Sequence, residues 1–339
     1  MRIAVLAIPE SIPVTTIGTL DLLSFANAMY SPAGAPVYEI KCVGRGPELQ
    51  FVGGARISCD HTFADPGQYD VVLVPGLLYT GLAETVHSYS DAIAWLRHQI
   101  EGGATVGSMC VGAFLVAATG YLNGKRTTLH WAYADLFRQM YPAVQVDTDP
   151  LVVDNGSLFS GGGATSYLNL LLYFVDRTMG RDAMLNLAQM LLIDPDKVSQ
   201  SQYSIFLSYK QHGDEAVRTA QEKLEQAYQA EPSVEVLAEA AAISPRHFVR
   251  RFKTATGLTP TAYLQKVRIE AARNALISTD SRVNEIQLAV GYDDEKTFRM
   301  MFRRHTGLSP TEYRNKFRTQ ALQFPRLMAS NKLALVSQS

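Results

Sequence analysis

One stretch near the end of the chain occurs twice, and this duplication restricts the fold more than any other feature. Residues 246–263 read R-H-F-V-R-R-F-K-T-A-T-G-L-T-P-T-A-Y, and residues 296–313 read K-T-F-R-M-M-F-R-R-H-T-G-L-S-P-T-E-Y. The offset between the copies is constant at 50 positions, from 246 to 296. A fixed-period repeat indicates one structural unit used twice. Two copies are too few for a solenoid, so the repeat predicts a tandem pair of modules.

Each copy has the pattern of a helix with one apolar and one basic face. Phe248 and Phe252 are four residues apart, as are their counterparts in copy two, and residues at this spacing share a helix face. Ser244, followed by proline, predicts the start of the helix, and Gly257 predicts its end. The alternative is an amphipathic helix whose basic face is merely solvated. The occurrence of the pattern twice favours a dedicated function.

A short apolar helix is predicted ahead of each copy, over Val234–Ala241 and Val283–Val290, and the turn that follows should be one residue longer in copy two. An apolar helix, a tight turn and a basic helix form the order of a helix-turn-helix motif. Residues 214–317 resemble the DNA-binding domain of AraC/XylS-type transcription regulators, most clearly in F-R-x-x-F-R-R-H-T-G-L-S-P-T-E-Y-R of copy two. The resemblance implies double-stranded DNA as a partner, with two recognition helices in successive major grooves.

The distribution of charge agrees with DNA binding by the C-terminal part. Residues 240–320 contain 15 Lys and Arg against 7 Asp and Glu, whereas residues 1–213 contain 12 against 18. The residues predicted to reach base edges are Arg246, Arg250, Lys296, Thr297 and Arg299. Those predicted to contact phosphates are Arg251, Lys253, Arg303 and Arg304.

The first part of the chain alternates predicted strands and helices. Ile3–Ile8 and Val71–Val74 are continuous apolar runs typical of strands buried on both faces, and helices are predicted over Ile17–Tyr30 and Asp91–Glu101. This alternation predicts an α/β fold with a doubly wound, mostly parallel sheet, followed by an all-α tandem helix-turn-helix domain. The predicted boundaries are 1–192 for an effector-binding and dimerisation domain, 193–213 for a linker, 214–320 for the DNA-binding domain and 321–339 for a tail.

A cysteine lies at a predicted sharp turn between a strand and a helix of small residues. The stretch T-V-G-S-M-C-V-G-A places Cys110 at the turn, which is the arrangement of a nucleophile elbow. The start of a helix favours the thiolate form of a cysteine. The alternative is a structural cysteine, since cysteines are commonly buried.

The N-terminal part resembles the PfpI/ThiJ-type proteins, whose fold is similar to class I glutamine amidotransferases. The resemblance is carried by V-P-G at 74–76, the elbow around Cys110, T-T-L-H-W at 127–131 and F-S-G-G-G at 159–163. The combination of such a domain with an AraC-type domain resembles the GlxA-like regulators. Enzymes of the fold pair the elbow cysteine with a carboxylate or a following histidine, but Val111 follows Cys110 here and Val14 aligns with the carboxylate. The sequence therefore predicts a binding pocket and no catalytic residue.

The leading hypothesis is a transcription regulator, more specifically an activator, that responds to a small nitrogenous metabolite. The residues predicted to line its pocket are Cys110, His130, Glu10, Ser11, Trp131 and Thr165. One alternative is a cysteine-elbow enzyme, such as an amidase, a protease or a glyoxalase-like hydratase. Another is a nucleic-acid-associated stress protein without an effector.

The remaining sequence features concern the compartment and partners. Three scattered cysteines predict a reducing compartment without a disulfide framework, and no spacing predicts a zinc site. The apolar N-terminus is too short for a signal peptide, and no apolar run has the length of a membrane span. The chain is thus expected to be cytoplasmic, without a membrane, cofactor or metal partner. A homodimer is expected, with RNA polymerase as a further partner to consider.

Overall fold

The chain forms two compact units, residues 1–205 and 206–339. The computed structural model describes residues 1–31, 37–78, 81–206, 210, 212–230 and 232–318. The boundary between the units falls within 193–213, the stretch predicted as a linker. The predicted tail, 321–339, lies outside the described residues.

The first unit combines strands and helices in alternation. Its strands are β1 (Arg2–Leu6), β2 (Glu39–Gly44), β3 (Glu48–Gln50), β4 (Arg56–Ser58), β5 (His61–Thr62), β6 (Val71–Val74), β7 (Thr105–Met109), β8 (Arg126–Thr127), β9 (Gln145–Val146), β10 (Val152–Asp154) and β11 (Leu158–Gly161). Its helices are α1 (Pro13–Tyr30), α2 (Leu82–Ser88), α3 (Ser90–Glu101), α4 (Ala113–Ala118), α5 (Ala134–Met140), α6 (Tyr167–Met179) and α7 (Arg181–Met190).

A seven-stranded sheet organises this unit, with the strand order β10-β11-β7-β6-β1-β2-β5. All its pairings are parallel except that of β10 with β11. Strand β6 shows why the runs are continuously apolar: Val72 and Val74 enter the core on one face, and Val71 and Leu73 enter the core on the other. Helices cover both faces, which confirms the predicted doubly wound, mostly parallel sheet.

Two predicted boundaries at the start of the chain are wrong by a few residues. Helix α1 begins at Pro13, earlier than the predicted Ile17, because proline at the first helical position has no N–H to satisfy. Strand β1 ends at Leu6, before Ile8, since Ile8 enters a turn in which its N–H donates to the Ser11 hydroxyl. The loop between β1 and α1 is therefore short and contains Glu10 and Ser11.

The second unit is entirely helical in its described part. Its helices are α8 (Glu215–Gln226), α9 (Val234–Ala240), α10 (Pro245–Thr256), α11 (Pro260–Ser278), α12 (Val283–Ala289), α13 (Glu295–Thr306) and α14 (Pro310–Phe317). Four residues separate α9 from α10, and five separate α12 from α13. The prediction of a longer turn in copy two is confirmed.

Each copy of the repeat has its own hydrophobic core. The first contains Phe248 and Phe252 with residues of α8 and α9, and the second contains Phe298 and Phe302 with residues of α12 and α14. Helix α11 belongs to both cores, because its early residues pack in the first and its later residues pack in the second. It thereby joins the two modules.

Candidate functional site

The two helices predicted to be recognition helices, α10 and α13, begin and end in the same way. The Ser244 hydroxyl accepts the N–H of His247 at the start of α10, and the Asp294 carboxylate accepts the N–H of Thr297 at the start of α13. Gly257 and Gly307 close the helices with φ of 74° at both positions, a conformation that glycine adopts without a steric penalty.

The aromatic packing beneath the recognition helices is also repeated. The Phe248 and Phe252 rings lie 5.7 Å apart, and their counterparts in copy two lie 5.8 Å apart. Phe252 meets Tyr263 edge to face at 5.5 Å, the same distance as in the equivalent pair of copy two. All four phenylalanines are fully buried. The same side chains therefore fix the orientation of each recognition helix, and its opposite face is left to solvent.

Most of the residues predicted to bind DNA are exposed on these helices. Arg246, Arg250, Lys253, Lys296, Thr297, Arg299, Arg303 and Arg304 are exposed. Arg299 bonds to Glu295 at 2.7 Å, four residues earlier on α13. Arg251 is half-buried and ion-pairs with Asp214 at the start of α8, so its side chain already has a structural contact.

Cys110 lies at a strained turn between β7 and α4. It begins a 3-10 turn over Cys110–Gly112 and has φ of 54°, which side chains other than glycine rarely adopt. A β-carbon on Gly112 would lie 2.2 Å from the Pro75 carbonyl oxygen, so only glycine fits there. A β-carbon on Gly76 would lie 3.3 Å from both the Cys110 Cβ and the Ile12 Cδ1. The elbow thus meets the end of β6 and the loop after β1.

Aromatic side chains lie beside the elbow. The His130 ring lies 5.2 Å from the Trp131 ring and 5.7 Å from the Tyr133 ring. Burial lowers the pKa of His130, which favours its neutral form. Burial raises the pKa of Tyr133, and a negative charge on Cys110 would raise it further. The His130 ring packs against Gly163, just after β11, and Gly161 of β11 pairs with Met109, the residue before Cys110.

The other predicted pocket residues differ in their surroundings. Ser11 is fully buried, and the Glu10 carboxylate accepts a hydrogen bond from the Tyr89 hydroxyl. Burial and this bond raise the pKa of Tyr89. Thr165 is exposed in a 3-10 turn ahead of α6. Cys110 therefore lies near the aromatic side chains around His130 and near the loop after β1, whereas Thr165 faces solvent.

Gln200 is a buried polar residue that the sequence analysis missed. It is 3% exposed, and its Nε2 donates to the Leu129 carbonyl at 2.9 Å and to the Thr128 hydroxyl at 3.2 Å. It also packs against Gly162, where a β-carbon would lie 2.9 Å from that nitrogen. The polar run around Gln200 predicts a linker, but this side chain supports the segment that carries His130.

Two family descriptions match the chain. Residues 1–177, more than half of the 339 residues, match the DJ-1/PfpI family. Residues 237–316 match a helix-turn-helix domain. The two matches fall in the two structural units.

Three relatives illustrate the range of similar proteins. The regulator CdhR of Pseudomonas aeruginosa is 26% identical over 61% of this chain and 61% of its own length, so the chain spans less than two thirds of it. The regulator GlxA of Rhizobium meliloti is 24% identical over 85% of this chain and 92% of its own. An isonitrile hydratase of Pseudomonas putida is 33% identical over 38% of this chain and 54% of its own.

Solved structures agree with the fold of the first unit. A crystal structure from Vibrio parahaemolyticus superposes with a TM-score of 0.50 and 20% identity, over 57% of this chain and 98% of that one. At this identity the likeness concerns the fold alone. Within the described residues, no helix combines the length and the apolar character needed to cross a membrane.

Proposed function

The chain belongs to the DJ-1/PfpI family, and from this membership and its helix-turn-helix domain we propose that it is a sequence-specific DNA-binding transcription regulator. The observation that carries the proposal is the duplicated recognition helix. In both copies a buried phenylalanine pair fixes the helix, and cationic side chains occupy its exposed face. Two such helices on one domain fit two successive major grooves of duplex DNA.

The exposed residues at the start of each recognition helix are proposed to read bases. Arg246 and Arg250 have this role in copy one, and Lys296, Thr297 and Arg299 have it in copy two. The residues proposed to contact phosphates are Lys253, Arg303 and Arg304, with Arg251 in a structural role through Asp214.

A small effector is proposed to bind at the elbow of the first unit. Its neighbours would be Cys110, His130 and Trp131, with Glu10 and Ser11 from the loop after β1. Aromatic rings attract cations, and a carboxylate adds negative charge, so a nitrogenous metabolite suits this chemistry. The boundaries proposed for the two domains are 1–192 for effector binding and 214–320 for DNA binding.

Assembly and location complete the proposal. A homodimer is proposed because paired DNA-binding domains match the two-fold symmetry of most operators. Action in the cytoplasm and contact with RNA polymerase, as an activator, are proposed with it.

Selection from random duplex DNA tests the DNA-binding function. The full chain should enrich a single motif over repeated rounds. A variant carrying Arg246→Ala and Arg250→Ala should fail to enrich it, whereas Arg218→Ala, a charge removal on α8, should enrich it like the wild type. If the wild type retains random sequences and no motif is enriched, the proposal of a sequence-specific regulator is contradicted.

Replacement of the elbow cysteine tests the effector site. Cys110→Ser should leave DNA binding without effector unchanged and alter the response to effector, because the thiol is proposed to contact ligand. Effectors are first identified by a thermal-shift screen of nitrogenous metabolites, where a bound ligand stabilises by about RT ln(1 + [L]/Kd). The same response in wild type and Cys110→Ser would remove Cys110 from the site.

The alternative is an enzyme of the cysteine-elbow type. The strained backbone of Cys110 favours it, as does the similarity to a protein named isonitrile hydratase. Amide, peptide, 2-oxoaldehyde and isonitrile substrates are offered to the purified chain. Turnover that disappears in Cys110→Ser would establish the enzyme and overturn the role of Cys110 as a binding residue only.

A further inference from the structure

Two cysteines outside the elbow lie in contact inside the first unit. Cys42 is in β2, and Cys59 follows β4 directly. Their sulfur atoms are 3.6 Å apart, although the residues are 17 positions apart in the sequence. Both are buried, Cys42 at 3% and Cys59 at 8% exposure, in a small apolar cluster with Ala7, Leu49 and Phe51.

Backbone hydrogen bonds hold the two cysteines in position. The Cys42 N–H donates to the Asp60 carboxylate at 2.8 Å, and the Asp60 N–H donates to the Cys42 carbonyl at 2.9 Å. The Cys59 N–H donates to the Pro47 carbonyl at 2.8 Å. Gly44 leaves room for the second sulfur, because a β-carbon there would lie 2.7 Å from the Cys59 Sγ. The contact between the thiols is therefore supported from both sides.

We propose that Cys42 and Cys59 form a redox-active dithiol, which a peroxide oxidises to an intramolecular disulfide. Bonding requires the sulfurs to approach from 3.6 Å to about 2.05 Å. The movement proposed for this approach is rotation of the two side chains about their Cα–Cβ bonds. A disulfide of this kind is typical of redox sensing where thiols are otherwise kept reduced.

The environment assigns a different role to each sulfur. The hydrogen bond from the Cys42 thiol lowers the pKa of Cys59 against the opposing effects of burial and Asp60. The same bond, with burial, raises the pKa of Cys42. Cys59 is also the less buried of the two, at 8% exposure against 3% for Cys42, so its sulfur is the one that peroxide reaches first and acts as the nucleophile, and Cys42 is the resolving thiol.

The chemistry balances in two steps. The Cys59 thiolate attacks one oxygen of hydrogen peroxide, the O–O bond breaks, and the departing hydroxide takes a proton to leave as water. Cys59 is then a sulfenic acid. The Cys42 sulfur attacks that sulfur, the S–O bond breaks, and the thiol proton leaves with the hydroxyl as a second water. Both sulfurs are oxidised, and the peroxide is reduced.

The disulfide would act on the loop that carries Glu10 and Ser11. The turn between β3 and β4 lies in the chain between the two cysteines, and the Val52 N–H of this turn donates to the Pro9 carbonyl at 3.1 Å. Closing a covalent ring around the hairpin restricts this segment. The oxidised chain should therefore unfold at a higher temperature than the reduced chain.

Thiol labelling after peroxide treatment tests the proposal on the full chain. The reduced protein is treated with hydrogen peroxide, quenched, denatured and labelled with N-ethylmaleimide, and its peptides are analysed by mass spectrometry. Cys42 and Cys59 should lose their labels together and appear as one linked peptide that lacks two hydrogens. Cys110→Ser should give the same linked peptide, since the elbow takes no part.

Two variants separate the roles of the sulfurs. Cys59→Ala should leave Cys42 labelled after peroxide, and Cys42→Ala should leave Cys59 with one or more added oxygens. If a variant does not fold, the presence or absence of the linked peptide in the wild-type protein decides the proposal. Persistence of both labels at peroxide concentrations that oxidise Cys110, or a linked peptide that contains Cys110, would overturn the proposal.

Discussion

Replacement of Arg250 by alanine separates DNA recognition from folding. Arg250 is exposed on α10 and forms no ion pair with the described residues. Its loss should change the free energy of unfolding by less than about 0.5 kcal/mol, as for other surface positions. An arginine that reads a base contributes about 1–3 kcal/mol to binding. The variant should therefore bind its selected operator about 5-fold to about 150-fold more weakly.

Fluorescence anisotropy with the selected operator and a scrambled duplex, at one salt concentration, measures both affinity and specificity. Arg250→Ala should lose affinity for the operator more than for the scrambled duplex, so that the ratio of the two falls. Lys253→Ala, on the same helix, should weaken both complexes by a similar factor because Lys253 is proposed to contact phosphate. Wild-type affinity and an unchanged ratio in Arg250→Ala would refute the assignment of α10 as a base-reading helix.

Three other expectations concern salt, pH and the buried glutamine. Removing Arg246 and Arg250 together should reduce the salt slope of DNA binding more than removing Lys296 alone, because two positive charges are lost instead of one; equal slopes in a salt titration would contradict this. Burial lowers the pKa of His305 from 6.5 to about 4, so protonation favours the unfolded chain, and the stability present above pH 6.5 should fall between about pH 6.5 and 4. Denaturant titrations should show a smaller fall for His305→Gln. Gln200→Ala should lower the free energy of unfolding by about 1–3 kcal/mol, because a buried carbonyl loses its donor; a wild-type denaturation midpoint would contradict this.

The regular parts of the fold could be predicted because their signals are local. The spacing of Phe248 and Phe252, the serine cap and Gly257 all belong to one helix, and the phenylalanine spacing and the closing glycine recur in copy two. The central strands are apolar on both faces and so appear as uninterrupted runs, as in Val71–Val74. The helix start at Pro13 was missed because the threonines that follow do not form an obvious apolar stripe.

The features that could not be predicted depend on contacts between distant residues. Cys42 and Cys59 come into contact because the hairpin of β3 and β4 brings the chain back to β2. Nothing in the spacing of the two cysteines along the sequence indicates this contact. Gln200 lies in a polar run that predicts a linker, and its burial depends on the carbonyl of Leu129. The ion pair of Arg251 with Asp214 likewise joins separate helices. Such pairs require the tertiary structure.

Helix α11 determines the spacing and the relative orientation of the two modules. Tyr263 and Leu264 anchor its first part in one core, and Ile269 and Leu276 anchor its later part in the other, without a break between them. One residue added between the anchors would turn the second module by about 100° and move it about 1.5 Å along the helix axis. Each module would keep its own packing, yet the second recognition helix would face the wrong side of the duplex. In the proposed complex, the length of this one helix would therefore determine the distance and phase between the two DNA sub-sites.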